Sequence, residues 1–130
     1  MDPNLWGPSG WYFLHSLTYS YPDNPTKKEE DAAIQFFNSL GTLLPCTVCK
    51  VNYDKHFKEN NIANCVSSRN ELIKWLIDIH NQVNMDNGKP MVSYKSVLNS
   101  VPPCYSSIHK NLSYVFGLII FLIIFRTYFH

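Results

Sequence analysis

The stretch from Ser68 to Gly88 is bounded at both ends, and it commits the middle of the chain to helix. Ser68-Arg69-Asn70-Glu71 is a capping box, in which the serine bonds the backbone three residues on and the glutamate reaches back. Leu72, Leu76, Ile79 and Val83 then recur on one stripe, with Ile73, Trp75 and His80 beside it. Asn87-Gly88 closes the helix through a left-handed turn, and Lys89-Pro90 follows.

The rest of the soluble part follows the same period. Residues 1–8 read as an irregular lead-in broken by Pro3, Gly7 and Pro8. A helix is expected from Ser9 to about Tyr21, with Trp11, Leu14, His15 and Thr18 on one face and Pro22 and Pro25 beyond. Thr26-Lys27-Lys28-Glu29 is another capping box, opening a helix with Ala33, Phe37, Leu40 and Leu44 on its stripe. Gly41 weakens that helix by about 1 kcal/mol against alanine, so its end is either loose or closely packed. Pro45 is expected to end it and to open a third helix running to about Glu59. Ser93 caps a short fifth helix through Val101, stopped by Pro102-Pro103. No run alternates as a strand does. The expected fold is all-α, four longer helices in a bundle plus a short fifth, over residues 1–101.

Composition changes after a linker at 102–111. Leu112 to Phe125 carries no charge, and Arg126 can snorkel so that Tyr128 and Phe129 lengthen the segment. At about 1.5 Å per residue the uncharged run covers only ~21 Å, so a core helix is the competing reading. The run is apolar on every side, however, and we read 112–129 as a C-terminal transmembrane anchor. Lys plus Arg number 11 against 10 for Asp plus Glu, so no net field draws in nucleic acid.

The chemistry centres on Pro45-Cys46-Thr47-Val48-Cys49. At a helix start the unpaired N–H groups and the dipole favour negative charge, which lowers a thiol pKa and yields the thiolate that attacks disulfides. Two intervening residues also let the sulfurs close a reversible disulfide. Zinc held by Cys46, Cys49, Cys65 and Cys104 is a weaker reading, because the last two are far apart. A thioredoxin-type motif lacks its strand context. His80-Asn81-Gln82-Val83-Asn84 puts polar groups on adjoining turns. Taken alone, that cluster reads equally well as a solvated helix end, and His15 as a core histidine.

Together these pieces resemble the Erv/ALR family of FAD-linked sulfhydryl oxidases. The family pattern appears in order as Trp6-Gly7, Trp11 through His15, Pro45-Cys46-Thr47-Val48-Cys49, His80-Asn81-Gln82-Val83-Asn84 and Gly88-Lys89-Pro90, across residues 5–95. The resemblance implies a FAD-binding bundle, usually a homodimer, that oxidises dithiol protein substrates and passes electrons to O2, giving H2O2. It implies Cys49 beside the flavin and Cys46 as the cysteine exchanging with substrate. Trp11, His15, Trp75, His80, Asn81, Asn84 and Lys89 match positions that contact FAD, and no metal is implied. The chain has no second CxxC to act as a shuttle. A structural Cys65–Cys104 bridge is one reading of the remaining cysteines; the other makes Cys104 a solitary shuttle. The compact form looks most like members encoded by large cytoplasmic DNA viruses. It would then act in viral disulfide formation and virion assembly, on a viral factory or virion membrane with its catalytic domain cytosolic. The rival from another class is a non-enzymatic, membrane-anchored zinc-binding or interaction module.

Overall fold

The computed structural model describes residues 1–100, and within them the chain is helical throughout, without strands. In order the elements are α1 (Pro3–Ser20), α2 (Lys27–Leu43), α3 (Thr47–Glu59), a 3-10 turn at Ile62–Asn64, α4 (Arg69–Asp86) and α5 (Tyr94–Ser100). The all-α bundle with a short fifth helix is therefore as expected. Val101, Cys104 and the apolar segment 112–129 lie outside the described residues. Among the described residues no helix is long and apolar enough to cross a membrane.

The first helix begins earlier than its prolines suggest. Asp2 caps it by accepting from the Asn4 N–H at 2.9 Å, and Pro3 occupies the first turn, where its missing N–H has no role. Pro8 lies inside the helix, yet its missing donor forfeits only one bond near the beginning. The lead-in expected over 1–8 is thus the first turns of α1, and it carries Trp6 and Gly7 with it.

The two anticipated capped starts are both present, though not identically. Thr26 and Glu29 form the reciprocal box, with Glu29 reaching back to the Thr26 N–H at 2.7 Å. Ser68 accepts from the Glu71 N–H at 3.3 Å, whereas the Glu71 carboxylate turns instead to Lys74. Pro45 stands one residue outside α3, and Cys46 itself is the cap. Gly41 resolves as closely packed: a side chain there would overlap the Asp54 carboxylate, so the end of α2 lies directly on α3.

α4 is the central element, packed against α1 on one side and α3 on another, while α2 covers α3. Leu72, Leu76 and Ile79 are almost fully enclosed, and with Leu14, Phe37, Tyr53, Ile62 and Trp75 they form the main core. At about 25 cal/mol per Å² of apolar surface removed from water, this continuous cluster is the chief support of the fold. A smaller cluster of Ile73, Ile77 and Val97 seats α5. Polar bonds fix α3 on α4 as well. His56 Nε2 lies 2.6 Å from Asp86 Oδ2, Asn60 Nδ2 donates to Gln82 Oε1 at 3.1 Å, and Trp75 Nε1 donates to the Asn60 carbonyl at 2.9 Å. These contacts set where the cysteine-bearing start of α3 sits relative to the other end of the bundle.

Candidate active site

Cys46 and Cys49 are joined as a disulfide with Cα atoms 5.1 Å apart, so neither is free to donate a thiolate to zinc. Cys46 Sγ accepts from the Cys49 N–H at 3.3 Å, which places sulfur in the ordinary capping position of a helix start. The bond lies on the wall of a cavity of about 770 Å³ bounded by α1, α3, α4 and the chain after α4. Asn52 and Tyr53, three and four positions beyond Cys49, continue the same wall, so Cys49 belongs to a stripe that runs inward. Cys46, the cap before the first turn of α3, stands at the rim between exposed Pro45 and Thr47.

The opposite wall is aromatic. Trp11 and His80 stack flat, with ring centroids 3.8 Å apart and planes 8° from parallel. His15 Nε2 and His80 Nδ1 are 3.0 Å apart, a hydrogen bond in which one ring donates and the other accepts. Burial pushes the His15 imidazole down to about 4. Burial, reinforced by His15 and Lys89, pushes His80 down to about 4 as well. The pair is therefore neutral at pH 7, as one shared proton between two nitrogens requires.

The two asparagines have a shared task. Asn81 accepts from the Val92 N–H at 2.8 Å and donates to the Val92 carbonyl at 3.1 Å. Asn84 donates to the Pro90 carbonyl at 3.2 Å, and its own carbonyl accepts from the Lys89 N–H at 2.8 Å. Gly88, at φ +63°, makes the reversal that allows this. The segment Lys89-Pro90 is thereby folded back over the cavity, with Lys89 Nζ at 3.4 Å from Asn4 Oδ1 across its mouth.

Cys46, Cys49, Trp11, His15, His80, Asn84 and Lys89 all line the cavity. Two of the expected FAD contacts fall elsewhere. Trp75 faces the core between Phe37 and Phe57, because its side of α4 is the one that α2 and α3 cover. Asn81 is spent on Val92, so it holds the wall without forming it. Cys65 is half-buried against the core and has no disulfide partner among the described residues. Cys104, its expected partner, lies outside them.

Trp6, Asn52 and Tyr53 are among the wall residues to which the sequence reading gave no ligand role. The latter two were findable from their helical spacing to Cys49. Trp6 packs on Gly10, where an added Cβ would meet its ring at 3.3 Å. Its Nε1 is buried with no partner, as is His15 Nδ1. Buried polar atoms are nearly always bonded, so orphans on residues that line a cavity mark groups for a ligand to satisfy. A mostly apolar cavity within the usual range of about 300–1,000 Å³, with a flat aromatic wall, two orphaned nitrogens and a lysine at its mouth, fits a flat dinucleotide. The residues present fit FAD.

The profile of the Erv1/Alr family matches residues 8–102. The chain belongs to the Erv1/Alr family. Protein R368 of Acanthamoeba polyphaga mimivirus is 41% identical over 102 residues, 78% of this chain and 71% of that protein. The mitochondrial FAD-linked sulfhydryl oxidase ERV1 of Saccharomyces cerevisiae is 39% identical over 89 residues, 68% of this chain but 46% of the yeast protein. The FAD-linked sulfhydryl oxidase of African swine fever virus is 29% identical over 94 residues, covering 72% of this chain and 77% of its own. Among solved structures, the FAD binding domain of yeast Erv1 superposes with a TM-score of 0.70 at 35% identity, covering 75% of this chain and 90% of that one. Over its described residues this Erv1/Alr chain is an all-helical bundle that superposes on that domain.

Proposed function

We propose that this chain is a FAD-linked sulfhydryl oxidase that makes disulfides in substrate proteins through Cys46 and Cys49. The observation that carries the reading is the disulfide on the wall of the cavity that fits the cofactor. A substrate thiolate attacks Cys46 Sγ, the Cys46–Cys49 bond breaks, and Cys49 leaves as a thiolate at the start of α3. The second substrate thiolate then attacks the substrate sulfur of the mixed disulfide and expels Cys46. The substrate has lost two electrons, its two thiol protons pass to solvent, and the pair has gained the electrons. The departing Cys46 thiolate is met by the Cys49 N–H, and both sulfurs profit from the helix dipole. FAD held by this wall would supply the acceptor for the electron pair of the reduced cysteines and its passage, with two protons from solvent, to O2 as H2O2. Trp11 and His80 would cover a ring face, while His15, Asn84, Lys89 and Trp6 would answer its polar groups.

The cysteines divide the labour by position: Cys46 at the rim meets substrate, and Cys49 on the inward stripe faces the cofactor side. The relatives in mimivirus and African swine fever virus support a place in viral disulfide formation and virion assembly. The charge-free run Leu112–Phe125 supports a membrane anchor with the domain on the cytosolic side, and the family likeness supports a homodimer. Cys65 and Cys104 would form a structural bridge within this arrangement.

Full-length protein purified in detergent should be yellow, with one flavin per chain, and should consume oxygen when given dithiothreitol. Cys49→Ser should keep the colour and lose turnover. A colourless preparation would overturn the reading and leave the interaction module.

A further inference from the structure

Large apolar side chains stand exposed around the rim cysteine, beside the polar Thr42 and Thr47. Leu43 at the end of α2 and Val51 on the first turns of α3 are 72% and 65% exposed, and Val48 between them is 68% exposed. All three fall within five residues of Cys46 or Cys49, and Val48 and Val51 lie three apart on one helix face. Met1, 78% exposed, is brought to the same place by its N-terminal ammonium, which donates to the Pro45 carbonyl at 3.0 Å. A helix start exposed to water would ordinarily present polar residues here. Large side chains left in water around a reactive group mark a contact surface.

What covers this surface is decided by the reaction itself. Exchange needs an incoming sulfur in line with Cys46 Sγ, so whatever carries that sulfur must lie over the rim during the step. We propose that Leu43, Val48 and Val51 form a docking collar that selects substrate dithiols whose cysteines are flanked by bulky apolar residues. This rests on the thiol-oxidase reading and adds the substrate class to it. Burying such a side chain against another is favourable, whereas an acidic residue beside the substrate cysteine would lose its water against Leu43, Val48 and Val51, with the Met1 ammonium already bonded to the Pro45 carbonyl. Free glutathione, with its two carboxylates, would be a poor substrate on the same grounds.

The test compares three reductants on the full-length protein: a reduced dicysteine peptide flanked by Leu and Val, the same peptide flanked by Asp and Ser, and dithiothreitol. The apolar peptide should be oxidised with a kcat/KM at least about fivefold above the acidic one, the effect lying in KM. In the double variant L43S/V51S, the ratio of kcat/KM for the apolar peptide to that for dithiothreitol should fall about fivefold or more, with flavin content and helicity retained. Equal rates for the two peptides in the wild type, or an unchanged ratio in the variant, would overturn the collar. A variant whose oligomeric state changes by light scattering would also overturn it, since the residues would then belong to a seam between copies. If no reductant is oxidised, dithiothreitol included, the thiol-oxidase reading fails instead.

Discussion

The molecule uses tryptophan and histidine twice, and the two uses differ at their polar tips. In the core, Trp75 is sealed between Phe37 and Phe57 and its Nε1 donates to the Asn60 carbonyl, while His56 Nε2 meets Asp86 and His56 Nδ1, without a hydrogen bond, lies 3.6 Å from Glu59 Oε2. On the cavity wall, Trp6 Nε1 has no partner, His15 Nδ1 has none, and His15 and His80 have only each other. Residue type and burial do not separate the groups. Position does: an orphaned nitrogen on a residue that lines the cavity is open to a ligand, whereas the orphaned His56 Nδ1 lies inside the bundle beside Glu59.

The sharpest way to break that comparison is to exchange the tryptophans' fates. Trp75→Ala removes a core anchor and a bond that joins α3 to α4, and it should cost about 3–5 kcal/mol of stability, enough to unfold a marginal domain. Trp6→Phe removes the orphaned N–H with the pyrrole part of the indole and keeps a six-membered aromatic ring, so the unfolding midpoint of the flavin-free protein should move far less than for Trp75→Ala. FAD affinity should instead fall about two- to tenfold, the value of one ordinary hydrogen bond. Urea unfolding and a flavin fluorescence titration of both variants make the check. A Trp6→Phe protein that loses stability but binds FAD normally would erase the distinction.

Acid should probe the same contrast through a gradual change in stability. His15 and His80 are held neutral by burial, with pKa values of about 4 against 6.5 for the unfolded chain. The unfolded state therefore takes up protons that the folded state refuses. Stability is unaffected above about pH 6.5, falls as the pH drops from there towards 4, and levels off below, with up to about two protons taken up per unfolding event. Unfolding midpoints measured across that range should show the decline, and His80→Phe should make it shallower.

Much of this was legible beforehand, for reasons that can be located. Capping at Thr26 and Ser68, the seam Leu72-Leu76-Ile79 and the turn at Gly88 are local signals that bring their own physical cause, and the structure contains each of them. The start of α1 was misjudged because Pro8 looks like a stop, although a proline so near a helix start removes a single bond and the Asp2-Pro3 cap outweighs it. Trp75 was grouped with Trp11 on the family resemblance, and the structure seats it in the core. Which side of α4 is buried depends on where α2 and α3 pack, and no spacing within α4 records that. Trp6 was named in the Trp6-Gly7 motif but given no ligand role, since an orphaned N–H exists only once its surroundings are built.

The smallest expected effect concerns the lid over the cavity mouth. Gly88 takes φ +63°, which other residues adopt at a cost of roughly 1–2 kcal/mol, and an added Cβ would meet nothing within 4 Å. Gly88→Ala should thus destabilise the protein by about 1 kcal/mol through the backbone alone, without a clash. The turn is also what lets the Asn84 carbonyl receive the Lys89 N–H and the Asn84 amide reach Pro90. Any relaxation of the strain therefore opens the returning segment before it disturbs the core. Flavin should dissociate faster from Gly88→Ala in a stopped-flow chase, while the unfolding midpoint shifts only slightly. A variant with normal flavin release and the full loss of stability would mean that the turn serves the bundle, not its ligand.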